Sequence, residues 1–353
     1  MNTRRTLSTA DLGALVGDLI AAGTTVVAPI RFVDQGRASI EYGPVQSPDE
    51  MDLDGPQPSR SLKEAVFPPT EVLFRWRQAK SAVEIEEVPV SFKETVVVGA
   101  RPCDAAALEI LDRVMGWDFR DELWFGRRQA TTVLALACTR CDESCFCTAV
   151  GLSPASTRGA DWFLTPVEGG FEVEVLTLKG QALLERHKAR CPEAEGSTTK
   201  RVADLEQEVR AHLDVRPDRI RAWLETHFDD ALWKRLALRC HGCGACAFVC
   251  PTCHCFDMVD EPDGIDGGAR RRNWDTCQSA LFTLHGSGYN PRKDQAARFR
   301  QRILHKFAIY PKRFGEVLCT GCGRCVRVCA AGMDLVAILA EIGRTAAERG
   351  GSA

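Results

Sequence analysis

The chain has 353 residues, of which 45% are hydrophobic and 26% are charged, and its formal net charge is −3. This composition is typical of a globular protein of two or three domains and excludes a fibrous or disordered chain. The near-balance of charge gives no overall reason to expect nucleic acid or an anionic membrane as a partner. No apolar run approaches the ~20 residues that a membrane-spanning helix needs.

The N-terminal half has the pattern of an α/β unit, because two continuously apolar strands flank a helix. The predicted elements of this half are a helix within residues 1–23 capped by Ser8 or Thr9, strands 24–33 and 38–42, a proline-rich irregular segment 43–70, strand 95–99, helix 104–115 with Asp104 as its N-cap, strand 131–137 and a hairpin 162–176 that turns at Gly169–Gly170.

The second half is predicted to be mostly helical, and a polar loop at 194–199 is the best candidate for a boundary between domains. The predicted helices lie near 180–190, 202–214, 217–228, 230–239 and 333–347. These patterns predict an α/β domain over residues 1–195 and a mostly α-helical domain over residues 196–353.

Cysteine is the unusual component, with 17 residues in the chain. Residues 1–23 contain no uninterrupted apolar segment of the kind that an export signal has. We therefore expect a cytoplasmic protein, and in that reducing compartment many cysteines indicate metal binding rather than disulfides.

Two cysteine motifs have the spacing of a bacterial ferredoxin loop, in which the fourth cysteine binds the other cluster of a pair. They are Cys240-x2-Cys243-x2-Cys246-x3-Cys250-Pro251 and Cys319-x2-Cys322-x2-Cys325-x3-Cys329. The spacing predicts one [4Fe–4S] cluster held by Cys240, Cys243, Cys246 and Cys329, and another held by Cys319, Cys322, Cys325 and Cys250. A pair of zinc sites is the alternative, although zinc does not require these offsets.

Further cysteines follow the two apolar strands of the N-terminal half. Cys103 lies in the turn after strand 95–99, and Cys138 directly follows strand 131–137. The carboxyl ends of parallel strands meet at one edge of a sheet, so these thiols should lie together. A third cluster is therefore predicted, with Cys103, Cys138, Cys145 and Cys147 as ligands; the alternative is a set of buried structural thiols.

Three more cysteines, Cys253, Cys255 and Cys277, have no assigned motif. Three interpretations are open: ligands of a further centre, redox-active thiols, or cysteines that pack near the ferredoxin pair. His241 and His254 lie inside the cysteine loops, where they could hydrogen-bond to a cluster or have no role.

Residues 270–313 contain eleven Lys and Arg but only two acidic residues, Asp275 and Asp294. This excess favours docking to an acidic partner together with compensation of negatively charged clusters. The alternative is a solvated surface with internal ion pairs.

Several motifs occur in an order that resembles one known family. Along the chain they are RPCDAAALEILDRV, ACTRCDESCFCT, CHGCGACAFVCPTCHCFD, NWDTC, FTLHGSGYNPR, RFRQRILHKF and CTGCGRCVRVC. Over nearly its whole length the chain resembles the iron–sulfur beta subunit of cytoplasmic hydrogenase/sulfur reductases (sulfhydrogenases) and the related iron–sulfur component of anaerobic sulfite reductase. It departs from their pattern at Ala330, where a proline is usual, and at Cys141, which is an extra cysteine.

The resemblance implies a non-catalytic electron-transfer subunit of an oxidoreductase complex, with a dicluster ferredoxin domain in its C-terminal half. The implied partners are a flavoprotein subunit that handles NAD(P)H and either hydrogenase small and large subunits or a sulfite reductase subunit. The sequence contains no dinucleotide-binding glycine fingerprint, which fits hydride chemistry on a partner. The alternative is a catalytic reductase of a sulfur compound that uses Cys253, Cys255 and Cys277.

Overall fold

A computed structural model describes residues 3–194 and 217–350 of the chain. The predicted helix 202–214 and the predicted boundary between residues 195 and 196 lie outside these ranges. Within the described ranges, no helix is both long enough and apolar enough to cross a membrane.

A seven-stranded sheet forms the centre of the N-terminal half, in the order β1-β9-β8-β7-β6-β2-β3. Its four inner strands β2, β6, β7 and β8 are parallel, whereas β1, β9 and β3 pair antiparallel at its edges. The strands are β1 (Thr3–Ser8), β2 (Thr25–Asp34), β3 (Arg37–Pro44), β6 (Thr95–Ala100), β7 (Thr131–Leu136), β8 (Trp162–Val167) and β9 (Gly170–Val175).

Both faces of the parallel strands are buried, as the continuous apolar runs predict. Val96 and Val98 of β6 pack on one face with the helix α1 (Thr9–Ala21). Val97 packs on the other face with the helix α2 (Pro102–Met115). The α/β character of this half is therefore confirmed, and the carboxyl ends of β6 and β7 lie at one edge of the sheet.

Two of the predicted local features are confirmed and one is wrong. Ser8 caps α1 by accepting a hydrogen bond from the backbone N–H of Asp11 at 3.0 Å, and β8 and β9 form the predicted hairpin. Asp104 is not an N-cap, because α2 begins at Pro102 after the cap residue Arg101. Proline suits the first turn of a helix, where its missing N–H would have no partner.

The second sheet has four antiparallel strands in the order β10-β11-β4-β5. Its strands are β4 (Thr70–Ala79), β5 (Ala82–Glu87), β10 (Phe256–Pro262) and β11 (Gly267–Trp274). It pairs β4 of the N-terminal half with β11 of the C-terminal half. The C-terminal half is therefore less helical than the sequence predicts.

Charge explains why the hairpin β10–β11 escapes sequence analysis. Three of the seven residues of β10 are acidic and β11 carries three consecutive arginines, so neither has the alternating apolar pattern of a strand. Across the hairpin, Arg270 binds Asp260 and Arg271 binds Glu261. These opposite charges on facing strands stabilise the hairpin in addition to the apolar pair of Phe256 and Trp274.

The other helices of the described residues follow in chain order. They are α3 (Glu122–Ala130), α4 (Leu178–Arg186), α5 (Pro217–Thr226), α6 (Leu232–Leu236), α7 (Ala245–Phe248), α8 (Gln295–Leu304), α9 (Tyr310–Phe314), α10 (Arg324–Arg327) and α11 (Leu335–Gly350), and a π-helical turn, His305–Ile309, continues α8. The predicted helices near 180–190, 217–228, 230–239 and 333–347 are confirmed as α4, α5, α6 and α11.

A buried ion pair joins the two halves. Asp104 of α2 accepts two hydrogen bonds from Arg324 of α10, at 2.9 and 2.7 Å, and both side chains are almost completely buried. Arg324 also donates to the carbonyl oxygen of Pro58, and Tyr42 donates to Asp104. Burial is the main reason that the pKa of Tyr42 lies well above its usual value, so this phenol stays a donor.

We expect Asp104→Ala to lower the free energy of unfolding by about 3–5 kcal/mol, because it leaves the buried Arg324 cation without its carboxylate. Thermal unfolding of anaerobically prepared protein, followed by circular dichroism, measures the change. Asp260→Ala is the matched control, since it removes an exposed partner of Arg270 and should have little effect. Equal losses in the two variants would show that the buried pair does not stabilise the junction.

Candidate iron–sulfur sites

The first site is a cavity of about 140 Å³ in the C-terminal half. Its lining includes the four residues of the first predicted ligand set, Cys240, Cys243, Cys246 and Cys329. Gly242 and Gly244 have φ values of +69° and +77°, a backbone conformation that lets the loop curl around the cavity. Cys243 and His241 are exposed, so this site reaches the protein surface.

The second site is a narrower cavity that the residues of the second predicted set line. They are Cys250, Cys319, Cys322 and Cys325. Cys325 lines the first cavity as well, and so does Arg302. The two sites are therefore direct neighbours, with each motif sending its last cysteine to the other cavity, as the ferredoxin spacing predicts.

The loop that carries the third cysteine group packs against the second ferredoxin loop. The backbone N–H of Phe146 donates to the carbonyl of Gly321 at 2.8 Å. A Cβ atom on Gly321 would lie 2.5 Å from the backbone of Phe146, and one on Gly323 would lie 2.5 Å from the carbonyl of Ser144. Only glycine allows this close approach, which brings the third cysteine group next to the second site.

The thiols of the third group influence one another electrostatically. Cys138 interacts with Cys103, Cys145 and Cys141, and Cys147 interacts with Cys138 and Cys145. Cys103 also interacts with Cys322 of the second site. The structure thus brings the four predicted ligands together at the carboxyl ends of β6 and β7. Cys141 lies in the same group, although no ligand role was predicted for it.

Burial makes these thiols poor acids. It raises the pKa of Cys138 and of Cys147 to about 12, and that of Cys319 to about 11. It also raises the pKa values of Cys145 and Cys246. Without a metal centre these thiols stay protonated, so a cluster would bind by replacing their protons with iron.

Among residues 3–194 and 217–350, no group of three or more His, Cys, Asp or Glu side chains could hold a metal ion. Structural zinc needs four donors at about 2.0–2.3 Å from one point, whereas a cubane presents four separate irons to four separate thiolates. Zinc stays the alternative that metal analysis tests.

Two buried cations lie at the ferredoxin-type sites: Arg302 lines both cavities, and Lys306 lines the second. Arg302 of α8 donates to Sγ of Cys253 at 3.3 Å and to the carbonyl of Cys246 at 2.9 Å. Lys306, in the π-helical turn, donates to Sγ of Cys250 at 3.3 Å and to the carbonyl of Leu318 at 2.8 Å. Neighbouring thiolates raise the pKa of Lys306 despite the opposing effect of burial, so the ammonium stays charged.

Several hydrogen bonds end on sulfur atoms of the predicted ligands. The side-chain amides of Gln295 and Gln57 donate to Cys240 at 3.2 Å and to Cys103 at 3.0 Å. The backbone N–H groups of Met333 and Gly321 donate to Cys329 at 3.3 Å and to Cys319 at 3.4 Å. Such donors stabilise the negative charge of a reduced cluster and thereby raise its reduction potential.

These donors and the individual roles of the two cations were not predicted from the sequence. The signal for Arg302 and Lys306 was present, because they lie four residues apart in RFRQRILHKF and so share one helix face. In the sequence they were part of the basic segment 270–313. In the structure both are buried at the cavities, which supports charge compensation for these two residues. Docking to an acidic partner stays a prediction.

Both loop histidines have clear positions. His241 is exposed at the first site. His254 is partly buried, its Nδ1 lies 3.1 Å from the carbonyl of Thr252, and burial lowers its pKa to about 4. The ring is therefore neutral at pH 7.

The remaining cysteines fall into two kinds. Cys253 lies against Cys250, and Cys255 lies against Cys277, each pair sharing a thiol hydrogen bond. Cys191 is fully buried and packs in the apolar core beside the large sheet. Its position matches that of a structural thiol.

Similarity to known proteins first indicates the class of this protein. A family model described as a 4Fe-4S dicluster domain matches residues 239–333, which contain both ferredoxin-type motifs. The C-terminal half of the chain therefore contains a region similar to 4Fe-4S dicluster domains, which indicates iron–sulfur clusters.

The sequence is also 28% identical over 323 residues to sulfhydrogenase 2 subunit beta of Pyrococcus furiosus. The similarity covers 90% of this chain and 92% of that protein. It confirms the predicted resemblance of the chain to the beta subunit of a sulfhydrogenase.

We expect Gly321→Ala to lower the free energy of unfolding by about 1–3 kcal/mol, because the new methyl group clashes with the backbone of Phe146. The positive φ of +62° adds backbone strain for alanine. Gly286→Ala is the matched control, since it has open space around it and no positive φ. Anaerobic thermal unfolding of the two variants measures the difference. Equal unfolding midpoints would contradict the close packing of Gly321 against Phe146.

Proposed function

We propose that this protein relays single electrons through [4Fe–4S] clusters between a flavoprotein subunit that handles NAD(P)H and a catalytic subunit. The catalytic subunit is a hydrogenase or a sulfur or sulfite reductase. The first cluster is held by Cys240, Cys243, Cys246 and Cys329, the second by Cys319, Cys322, Cys325 and Cys250, and a third by Cys103, Cys138, Cys145 and Cys147.

The observation that carries this proposal is the continuity of the three sites. The first and second cavities share Cys325 and Arg302 in their linings. The second and third sites are linked by the contact of Gly321 with Phe146 and by the interaction of Cys322 with Cys103. Adjacent one-electron centres in an unbroken series are what a relay requires.

The charges of the surrounding residues also suit this role. A reduced cluster with four thiolate ligands is an anion, and burying an anion is costly unless a cation compensates it. Arg302 provides positive charge at both the first and the second site, and Lys306 provides it at the second. The ion pair of Arg324 with Asp104 holds a third cation near Cys322 and Cys103.

The similarity to a protein named as the beta subunit of a sulfhydrogenase supports a place in a multi-subunit complex. The exposed edge of the first site at Cys243 is where we place electron exchange with a partner. The flavoprotein, the catalytic subunit and the cytoplasmic location are predictions that rest on the sequence and on this similarity.

We expect anaerobically purified protein to contain about twelve iron and twelve acid-labile sulfide atoms per chain, and Cys145→Ser to lose about four of each. The loss arises because serine replaces one thiolate ligand of the third cluster. Metal analysis together with low-temperature EPR of the dithionite-reduced protein measures it. Cys191→Ser is the control and should retain all the iron. Wild-type protein with about eight iron atoms would remove the third cluster from the proposal, and zinc in place of iron would overturn the proposal as a whole.

We expect Arg302→Met to lower the reduction potential of the first or second cluster by on the order of 100 mV. Removing a positive charge several ångströms away costs the reduced form about 2 kcal/mol at an effective dielectric constant near 20, and about 59 mV corresponds to 1.4 kcal/mol for one electron. EPR-monitored redox titration measures the change.

Arg300→Met is the matched control for this measurement. Arg300 lies on the same helix but binds the carbonyl of Phe228 and the carboxylate of Asp229, away from both cavities. Arg302→Lys should restore part of the shift, because it keeps the charge. Unchanged potentials in Arg302→Met would show that this cation does not act on the clusters.

A further inference from the structure

Two cysteines outside the proposed ligand sets lie side by side at the base of the hairpin β10–β11. Cys255 precedes β10 and Cys277 follows β11, and the backbone N–H of Asp275 donates to the carbonyl of Cys255 at 3.0 Å. The thiols of Cys255 and Cys277 are hydrogen-bonded to each other. Both are free cysteines in the structure.

A chain of hydrogen bonds connects this pair to the first cluster site. Gln278 donates from Nε2 to Sγ of Cys277 at 3.5 Å. Gln295 donates to Oε1 of Gln278 at 3.0 Å and to Sγ of Cys240 at 3.2 Å. The side-chain amide of Gln295 therefore contacts both the predicted ligand Cys240 and Gln278, which donates to Cys277.

The surroundings of Cys277 favour a thiolate. The hydrogen bond from Cys255 lowers the pKa of the Cys277 thiol to about 6, and the positive charges of Arg302 and Lys306 act in the same direction. A thiolate next to a protonated thiol is the reactive form of a dithiol, because the thiolate is the nucleophile in disulfide chemistry.

We propose that Cys255 and Cys277 form a redox-active dithiol that stores two electrons and one proton beside the first cluster site. Oxidation of the thiolate–thiol pair would form one S–S bond and release the proton of Cys255 to solvent, and clusters bound at the first and second sites would accept the two electrons, one each. In the reverse direction the disulfide would take up one electron from each of two reduced clusters and one proton from solvent. The electron path rests on the proposed relay function.

Burial makes this pair an internal electron store rather than an open substrate site. Cys277 is only 8% exposed, and Cys255 is partly buried. Cys253 differs from both, because it contacts the predicted ligand Cys250 and accepts a hydrogen bond from Arg302. The potentials of protein dithiols lie within the range of iron–sulfur clusters, so exchange between them is feasible.

The test is thiol mapping of the wild-type holoprotein. Samples are equilibrated anaerobically over a series of oxidised and reduced dithiothreitol ratios, quenched in acid, alkylated and digested, and the peptides are quantified by mass spectrometry. We expect a linked peptide with a Cys255–Cys277 disulfide at oxidising ratios and its loss in a single two-electron transition. Cys191, which is buried and distant, should be alkylated at every ratio and serves as the internal control.

An electron count gives an independent measurement. Fully oxidised wild-type protein should accept two more electrons per chain from stoichiometric dithionite than Cys277→Ser or Cys255→Ser, whose cluster EPR signals should match those of the wild type. Free thiols at every ratio, or equal electron uptake, would overturn the dithiol. Loss of about four irons in either variant would also overturn it, because the cysteine would then be a cluster ligand.

The relay and the dithiol can each be overturned without overturning the other. The disulfide peptide is detected without reference to the clusters, so a protein without iron would overturn the relay while the dithiol transition could still be present. A full set of clusters with no disulfide would overturn the dithiol alone.

Discussion

The two ferredoxin-type motifs depend on each other, because each cavity is completed by the last cysteine of the other motif. Cys329 reaches the first cavity and Cys250 reaches the second. Neither loop can therefore present four thiols to a cluster until the other loop has folded. This requirement links segments that are far apart in the chain, and the helices α8 and α11 pack with cysteines of both loops in one apolar core.

Buried charge is the second constraint on this region. Arg302 and Lys306 lie where water cannot solvate them, so their positive charge is compensated mainly by sulfur ligands and backbone carbonyls. The π-helical turn His305–Ile309 carries Lys306, and such turns often occur at functional sites. Burying these cations without a negative partner would be costly, and so would burying an anionic cluster without a positive one. The cations and the cluster anions therefore stabilise each other.

Sequence patterns were sufficient where spacing alone determines geometry. The cysteine offsets predicted two ligand sets and the members of each set line one cavity, while the apolar runs of β6 and β7 located the edge at which Cys103 and Cys138 meet. Patterns failed where distant residues define a feature. The strands β10 and β11 are too charged to resemble strands, and Asp104 was assigned to a helix cap because its partner Arg324 is 220 residues away. A single sequence cannot reveal such a pairing, since neither residue carries a local sign of it.

The pairing of β11 with β4 has a consequence for any attempt to study the dicluster region as a fragment. A piece limited to residues 239–333 would keep the hairpin β10–β11 but lose β4. One side of β11 would then offer a row of backbone donors and acceptors to other chains, which is how sheets grow into aggregates. The same cut would remove Pro58 and Asp104, so the guanidinium of Arg324 would lose the carbonyl and the carboxylate that it binds. The ferredoxin-like part is thus built as an integral portion of the larger molecule and not as a detachable module.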